Sequence, residues 1–98
     1  MYNIKIKYIG GIKVDMKIYN NKNEIDTSNF RAWAEIDLSK LRHNVEVIRK
    51  LLHDDVDIIG VVKANAYGHG DIVVSKYLES IGVKHFAVAF IEEAIKLR

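Results

Sequence analysis

The stretch VVKANAYGHG, Val61 to Gly70, decides the fold predicted for the rest of the chain. The residues Ile58 to Val62 form a continuous apolar run. Such a run is typical of a strand that is covered on both faces, as in a parallel sheet. Lys63 then stands at the strand's last position, immediately before a glycine-rich turn. Because lysine is rarely buried without a partner, its place there needs a physical reason.

Two explanations suit a lysine at this place. Apolar surroundings disfavour the charged form of a lysine amine, and the neutral amine can form a Schiff base with a carbonyl compound or with pyridoxal phosphate. In that case the Tyr67 hydroxyl could form a hydrogen bond with a phosphate, and the turn's backbone amides could approach an anion. In the other explanation, Lys63 reaches from the strand end into water and has no chemical role. Spacing alone favours the second explanation.

Three segments resemble the alanine racemase family. Val61 to Gly70 resembles its pyridoxal-phosphate attachment motif. Arg31 to Asn44 resembles its opening strand and the start of its first helix, and Phe86 to Ala94 resembles its second barrel strand and the helix start that follows. The resemblance runs from Arg31 to Arg98 without a gap, so it covers most of the chain.

That resemblance implies a fold, a cofactor and an activity. The fold would be α/β, the N-terminal βαβα part of a (β/α)8 TIM barrel that binds pyridoxal 5'-phosphate. Lys63 would carry the cofactor through a Schiff base and act as one of two catalytic bases, and Tyr67 would bind the cofactor phosphate. The activity would be the interconversion of L- and D-alanine, which supplies D-alanine for peptidoglycan. The complete enzyme would be a homodimer, whose partner subunit supplies the second base.

The chain is shorter than such a barrel. It has 98 residues, whereas (β/α)8 barrels take about 250 residues. Residues 30–98 would form a partial barrel domain with two barrel strands, and residues 1–29 would form an N-terminal extension. We therefore expect an N-terminal fragment of a larger racemase or a truncated product, and we expect these 98 residues alone to be inactive.

The N-terminal extension has a pattern of its own. Apolar and polar residues alternate from Ile4 to Ile9 and again from Ile12 to Tyr19, with Gly10-Gly11 between them. Two alternating runs separated by two glycines predict a β-hairpin. The polar residues 20–29 predict a loop.

Helical spacing predicts a helix after each of the later strands. Ser39 is the predicted N-cap of the first helix, which follows a half-buried strand over Trp33 to Leu38. Asp71 is the predicted cap of the second helix, which ends before Gly82. The strand His85 to Phe90 and a last helix follow. This order predicts a right-handed βαβ unit with Lys63 at the edge where (β/α)8 barrels hold their active sites.

Two other residues of the turn are weaker candidates. His69 could relay a proton or contact a phosphate. The favoured interpretation is a turn histidine whose ring hydrogen-bonds nearby backbone. Asn65 is expected only to stabilise the turn.

Composition argues against several classes of function. A net charge of +2 is too small to indicate a nucleic-acid partner, and the absence of cysteine excludes disulfides and thiolate zinc sites. No apolar run reaches the roughly 18 residues of a membrane helix, and the N-terminus does not resemble a signal peptide. We expect a cytoplasmic protein that binds a small amino acid and holds no metal.

Three alternatives stay open. A serine racemase of the same family would share these motifs, since most of the substrate pocket is expected beyond Arg98. A non-catalytic truncated remnant could bind a partner through an exposed sheet edge. A pyridoxal-phosphate decarboxylase or cofactor-carrier barrel also has a lysine at the end of its first strand, but the continuation NAYGHG favours the racemases.

Overall fold

The structure, a computed structural model, describes residues 2–9, 12–20 and 32–98. The chain forms two compact units, Met1–Leu41 and Arg42–Arg98.

The first unit contains a three-stranded antiparallel sheet. Its strands are β1 (Tyr2–Ile9), β2 (Ile12–Asn20) and β3 (Ala32–Asp37), in the order β2-β1-β3. Ile9 lies opposite Ile12 at one end of the β1–β2 pair, and the register shifts between Lys7 and Tyr8. The glycines predicted to form the turn, and the predicted loop after Asn20, lie outside the described residues. β3 follows them and pairs with the other edge of β1.

Helix α1 (Leu38–Leu51) is capped by Asp37. The Asp37 carboxylate accepts hydrogen bonds from the backbone N–H groups of Ser39 (2.8 Å) and Lys40 (3.3 Å), and also from the Ser39 hydroxyl. These bonds lower the pKa of Asp37, and the Ser39 hydroxyl has the largest effect. The prediction that Ser39 caps this helix is therefore wrong, because an N-cap oxygen must precede the N–H groups that it accepts by two or three residues.

The second unit has the predicted α/β order. Its elements are β4 (Ile59–Val61), α2 (Lys63–Tyr67), α3 (Asp71–Ser80), β5 (His85–Ala87) and α4 (Ile91–Leu97). β4 and β5 pair in parallel, with Gly60 opposite Phe86. The Val62 N–H donates to the Ala87 carbonyl at 2.9 Å, so the pairing extends one residue beyond β4.

One face of β4 packs on the core and the other does not. A Cβ on Gly60 would come within 3.2–3.3 Å of Phe86 and Leu78, so only glycine fits under these side chains without displacing them. Ile59 and Val61 alternate with Gly60 and are 60% and 49% exposed. Their exposure contradicts the prediction of a strand covered on both faces, because among the described residues α3 covers only the face of Gly60.

Helix α3 contributes two apolar residues to this unit's core. Val74 and Leu78 are buried on its inner face. The helix ends in a Schellman motif, in which Val83 N–H donates to the Leu78 carbonyl (3.0 Å) and Gly82 N–H to that of Glu79 (2.9 Å). Gly82 has a φ of 88°, which a glycine adopts without steric cost. The prediction that this helix ends before Gly82 is confirmed.

Candidate functional site

Lys63 and Tyr67 lie together beyond the carboxyl end of β4. Lys63 is the first residue of α2, two positions past the strand, so the prediction that it is the strand's last residue is wrong. Its amine lies 5.9 Å from the centre of the Tyr67 ring, within the range of a cation–π contact. Tyr67 is 61% exposed, and Lys63 is exposed too instead of being enclosed by apolar side chains.

The four residues after Lys63 form one turn of left-handed helix. Ala64, Asn65, Ala66 and Tyr67 have φ angles of 51°, 57°, 52° and 54°. For residues other than glycine this conformation costs roughly 1–2 kcal/mol each, because Cβ approaches the following carbonyl oxygen. Such strain persists only where the surroundings hold it in place, and it is concentrated at functional sites.

Asn65 makes three of the hydrogen bonds that hold the turn. Its backbone carbonyl accepts the N–H groups of Gly68 (3.1 Å) and Gly70 (3.0 Å). Its side-chain oxygen accepts the N–H of Asp71, the first residue of α3, at 3.0 Å. Asn65 therefore stabilises the turn, as predicted, and also satisfies an N–H at the start of the next helix. The prediction that Asp71 caps α3 is wrong, because the helix begins at Asp71 itself and Gly70 holds the N-cap position. The Asp71 carboxylate instead accepts the N–H of the next residue, Ile72, at 2.8 Å.

Ala66 anchors the turn in the core. Its side chain is buried, and its N–H donates to the Val62 carbonyl at 3.0 Å. Its carbonyl accepts the His69 backbone N–H (3.0 Å) and lies 2.9 Å from His69 Nδ1, which donates to it. The favoured interpretation of His69, a turn histidine bonded to nearby backbone, is confirmed by this contact.

Glu93, on α4, connects the ends of the two strands. Its Oε1 accepts the N–H of Ala64 at 2.7 Å. Its Oε2 accepts the N–H groups of Ala89 (2.8 Å) and Phe90 (3.3 Å). The Ala64 bond, followed by the Ala89 bond, lowers the pKa of Glu93, because both favour the carboxylate.

An ion pair joins the start of α3 to the last turn of α4. The Lys96 amine lies 2.8 and 2.7 Å from the two carboxylate oxygens of Asp71. Asp71 is only 4% exposed. A buried carboxylate is costly without such a partner, so Lys96 allows Asp71 to be enclosed beside the turn.

Sequence reasoning missed the roles of Glu93 and Lys96. A glutamate at the third position of a helix is a recognised N-terminal signal, and Glu93 has that position in α4. That signal predicts the bond to Phe90 but not the bond to Ala64, which is 29 residues away. Neither residue belongs to the motif around Lys63.

The arrangement offers an accessible amine and an accessible phenol on a turn of fixed shape. Such a pair can form a covalent bond to a carbonyl carbon and donate a hydrogen bond to an anion. Over the described ranges 2–9, 12–20 and 32–98, no three His, Cys, Asp or Glu side chains are grouped so that they could hold a metal ion. Within those same ranges, no helix is both long and apolar enough to span a membrane.

Residues 36–98 match the family described as "Alanine racemase, N-terminal domain". The chain is 53% identical over 66 residues to an alanine racemase of Geobacillus stearothermophilus, which covers 67% of this chain and 17% of that protein. It is 53% identical over 68 residues to an amino-acid racemase of Enterococcus faecalis, which covers 69% of this chain and 10% of that protein.

A solved structure is similar in fold as well as sequence. The alanine racemase of Clostridium difficile 630 superposes with a TM-score of 0.61 and 49% identity, over 62% of this chain and 16% of that one. The chain thus spans less than a fifth of the length of each of these relatives. Since the family match takes in well over half of its residues, this chain belongs to the alanine racemase family.

Proposed function

We propose that this chain supplies the cofactor-bearing lysine of a racemase that uses pyridoxal 5'-phosphate and interconverts L- and D-alanine. The observation that carries the proposal is the joint exposure of Lys63 and Tyr67 on a strained turn at the carboxyl end of two parallel strands. (β/α)8 barrels place their active sites at that end, and we propose that the complete fold is such a barrel. The match to the alanine racemase N-terminal domain, over residues 36–98, includes this turn.

The residues present suit the cofactor. A lysine that is to bind an aldehyde needs an amine that the aldehyde can reach, and Lys63 is exposed. Tyr67 presents its phenol on the same turn and can donate a hydrogen bond to a phosphate oxygen. The hydrogen bonds of Asn65 and Ala66 keep the backbone between Lys63 and Tyr67 in one conformation.

Lys63 and Tyr67 have different roles in this proposal. When bound, pyridoxal phosphate would supply an electron sink for the α-carbon of the substrate. Lys63 holds the cofactor between turnovers and, once released from it, exchanges a proton with one face of that carbon. Tyr67 orients the phosphate, and the left-handed turn fixes the separation of the two side chains.

Racemisation also needs groups from outside this chain. Inversion at the α-carbon requires a proton donor on the face opposite to Lys63. We propose that a second subunit of a homodimer supplies it, and that later segments of a longer chain complete the phosphate site. Cytoplasmic D-alanine supply for the cell wall is the corresponding biological role.

A hybrid enzyme tests the proposal. In this hybrid, residues 36–98 replace the matching segment of the G. stearothermophilus alanine racemase. After incubation with pyridoxal phosphate, reduction with borohydride and peptide mass analysis should find the reduced cofactor on Lys63. Equal labelling of surface lysines such as Lys40 and Lys84 would contradict the assignment.

Activity provides the second part of the test. The hybrid is expected to racemise alanine, and the 98-residue chain alone is expected to be inactive. A folded, dimeric hybrid that binds no cofactor would refute the proposed function. Alanine racemisation by the 98-residue chain would refute the expectation that it needs further segments.

A second substrate has a specific observation in its favour. Two of the similar Enterococcus faecalis proteins are named amino-acid racemase, at 53% and 47% identity. These names do not restrict the substrate to alanine, so the serine racemase already considered from the sequence is the second candidate. Rates measured with alanine and serine on the longest form of the protein in its native cells would separate the two, because the residues that choose between a methyl and a hydroxymethyl group belong to the complete pocket.

A further inference from the structure

The contacts of Glu93 are unequal, and the shortest one leaves its own helix. As the third residue of α4, Glu93 would serve as a helix cap through Phe90 N–H alone, and that bond is the longest of the three at 3.3 Å. The bond to Ala64 is 2.7 Å, and that to Ala89 is 2.8 Å. The carboxylate is thus shared between the helix start and the turn that follows Lys63.

The N–H of Ala64 belongs to the same peptide plane as the carbonyl of Lys63. Because that plane is rigid, a bond that fixes the direction of the N–H also fixes the rotation between this plane and the Cα of Lys63. Ala64 is also the first residue of the left-handed turn. A carboxylate that holds its N–H therefore acts where the lysine leaves the strand and the strained backbone begins.

We propose that Glu93 is a positioning residue for Lys63. By bridging Ala64 and Ala89, it fixes the end of β4 to the end of β5 and sets the direction in which the lysine side chain leaves the backbone. Lys63 reaches the cofactor and substrate, whereas Glu93 acts only through the peptide after it. This inference rests on the proposed role of Lys63 and extends it to a residue outside the motif.

The charge of Glu93 suits this role. Hydrogen bonds from backbone N–H groups to a carboxylate are shorter and stronger than bonds to a neutral acceptor. The lowered pKa of Glu93, caused first by Ala64, agrees with an ionised side chain at neutral pH. A neutral amide offers one oxygen instead of two, so it can keep one side of the bridge but not both.

Three variants of the hybrid enzyme test the proposal. Glu93→Gln retains the size of the side chain and removes one acceptor. Glu93→Asp retains the charge, and we expect its shorter side chain to cap α4 without reaching Ala64. Glu92→Gln is the matched control, because Glu92 lies in the same helical turn and its side chain makes no hydrogen bond or ion pair among the described residues.

The expected result is a loss of turnover per loaded site. For both Glu93 variants kcat, measured per Lys63-bound cofactor, should fall roughly 10- to 100-fold, as small displacements of a reacting group do. KM for alanine should change less than about twofold, because in this proposal Glu93 acts through the Ala64 peptide and not on the substrate. Hydrogen exchange of the peptide that contains Ala64 should become faster. Glu92→Gln should match the unaltered hybrid in all three measurements.

Two outcomes would overturn the inference. If Glu93→Gln and Glu93→Asp lower only the melting temperature and leave kcat per bound cofactor unchanged, Glu93 is a helix cap and nothing more. If the unaltered hybrid folds but carries no cofactor on Lys63, the proposed function itself fails and this inference fails with it. The labelling of Lys63 distinguishes the two failures.

Discussion

The ends of β4 and β5 lie at the same edge of one parallel sheet but differ in conformation. After β4, four residues other than glycine adopt φ angles of 51–57°. After β5, Phe90 is extended, with φ −129° and ψ 151°, and leads directly into α4. The strained end presents Lys63 and Tyr67, whereas the relaxed end contributes the N–H groups that bind Glu93. Under the proposed function, the strain is found where the reactive side chains must be oriented, and the unstrained strand end anchors the turn.

The largest expected effect comes from replacing the lysine at the strained end. Lys63→Arg in the hybrid enzyme keeps the positive charge but cannot form a Schiff base, so alanine racemisation should fall by at least about 10³-fold. Lys84→Arg is the control, because Lys84 directly precedes β5 and so lies at the opposite end of the strands from Lys63. Both variants are compared by their racemisation rates and by the amount of cofactor that they bind. Retention of more than a tenth of the activity by Lys63→Arg would mean that the two strand ends do not differ in the way proposed.

Glycine substitutions should distinguish the two ends through stability. Ala64→Gly should raise the free energy of unfolding by about 0.5–1 kcal/mol, because glycine adopts positive φ without a steric penalty. Ala94→Gly, in the right-handed helix α4, should lower it by about 1 kcal/mol. Urea unfolding of the two variants of the chain measures the difference. If both substitutions destabilise the chain equally, the turn after Lys63 is not left-handed in solution.

The smallest expected effect is a pH dependence that arises from Glu93. The pKa of this residue in the folded chain lies below its ordinary value of 4.5, so its stabilising effect is complete above that pH. The effect is lost as the pH falls through the lowered folded pKa, because protonation removes the charged acceptor. The urea midpoint should therefore decrease between pH 7 and acidic pH, and the decrease should be larger for the unaltered chain than for Glu93→Gln. An equal fall would show that Glu93 binds no backbone N–H in the folded state.

Local sequence signals predicted much of this structure. Helical spacing and the glycine at position 82 placed α3 and its end correctly, since both depend on neighbouring residues in the chain. The motif also identified Lys63 and Tyr67 as candidate site residues, and the structure places their side chains close together. The βαβα order followed from alternating strand and helix patterns, and it agrees with the parallel pairing of β4 and β5.

Other features depended on information that no short segment contains. Ala64 and Ala66 give no sign of a left-handed conformation, because alanine favours the right-handed helix. The exposure of Ile59 and Val61 depends on what packs against β4, not on the apolar run itself. Ser39 suited an N-cap by residue type, but Asp37 precedes the correct N–H groups and took that role.

The bond between Glu93 and Ala64 also has a consequence for comparative genomics. Its acceptor is a side chain, but its donor is a main-chain N–H that every residue except proline possesses. Position 64 can therefore drift among relatives while the bond persists, and no compensating change at position 93 is required. Methods that infer proximity from correlated substitutions will not detect this link. The evolutionary record should instead show an acidic residue retained at position 93 and an absence of proline at position 64.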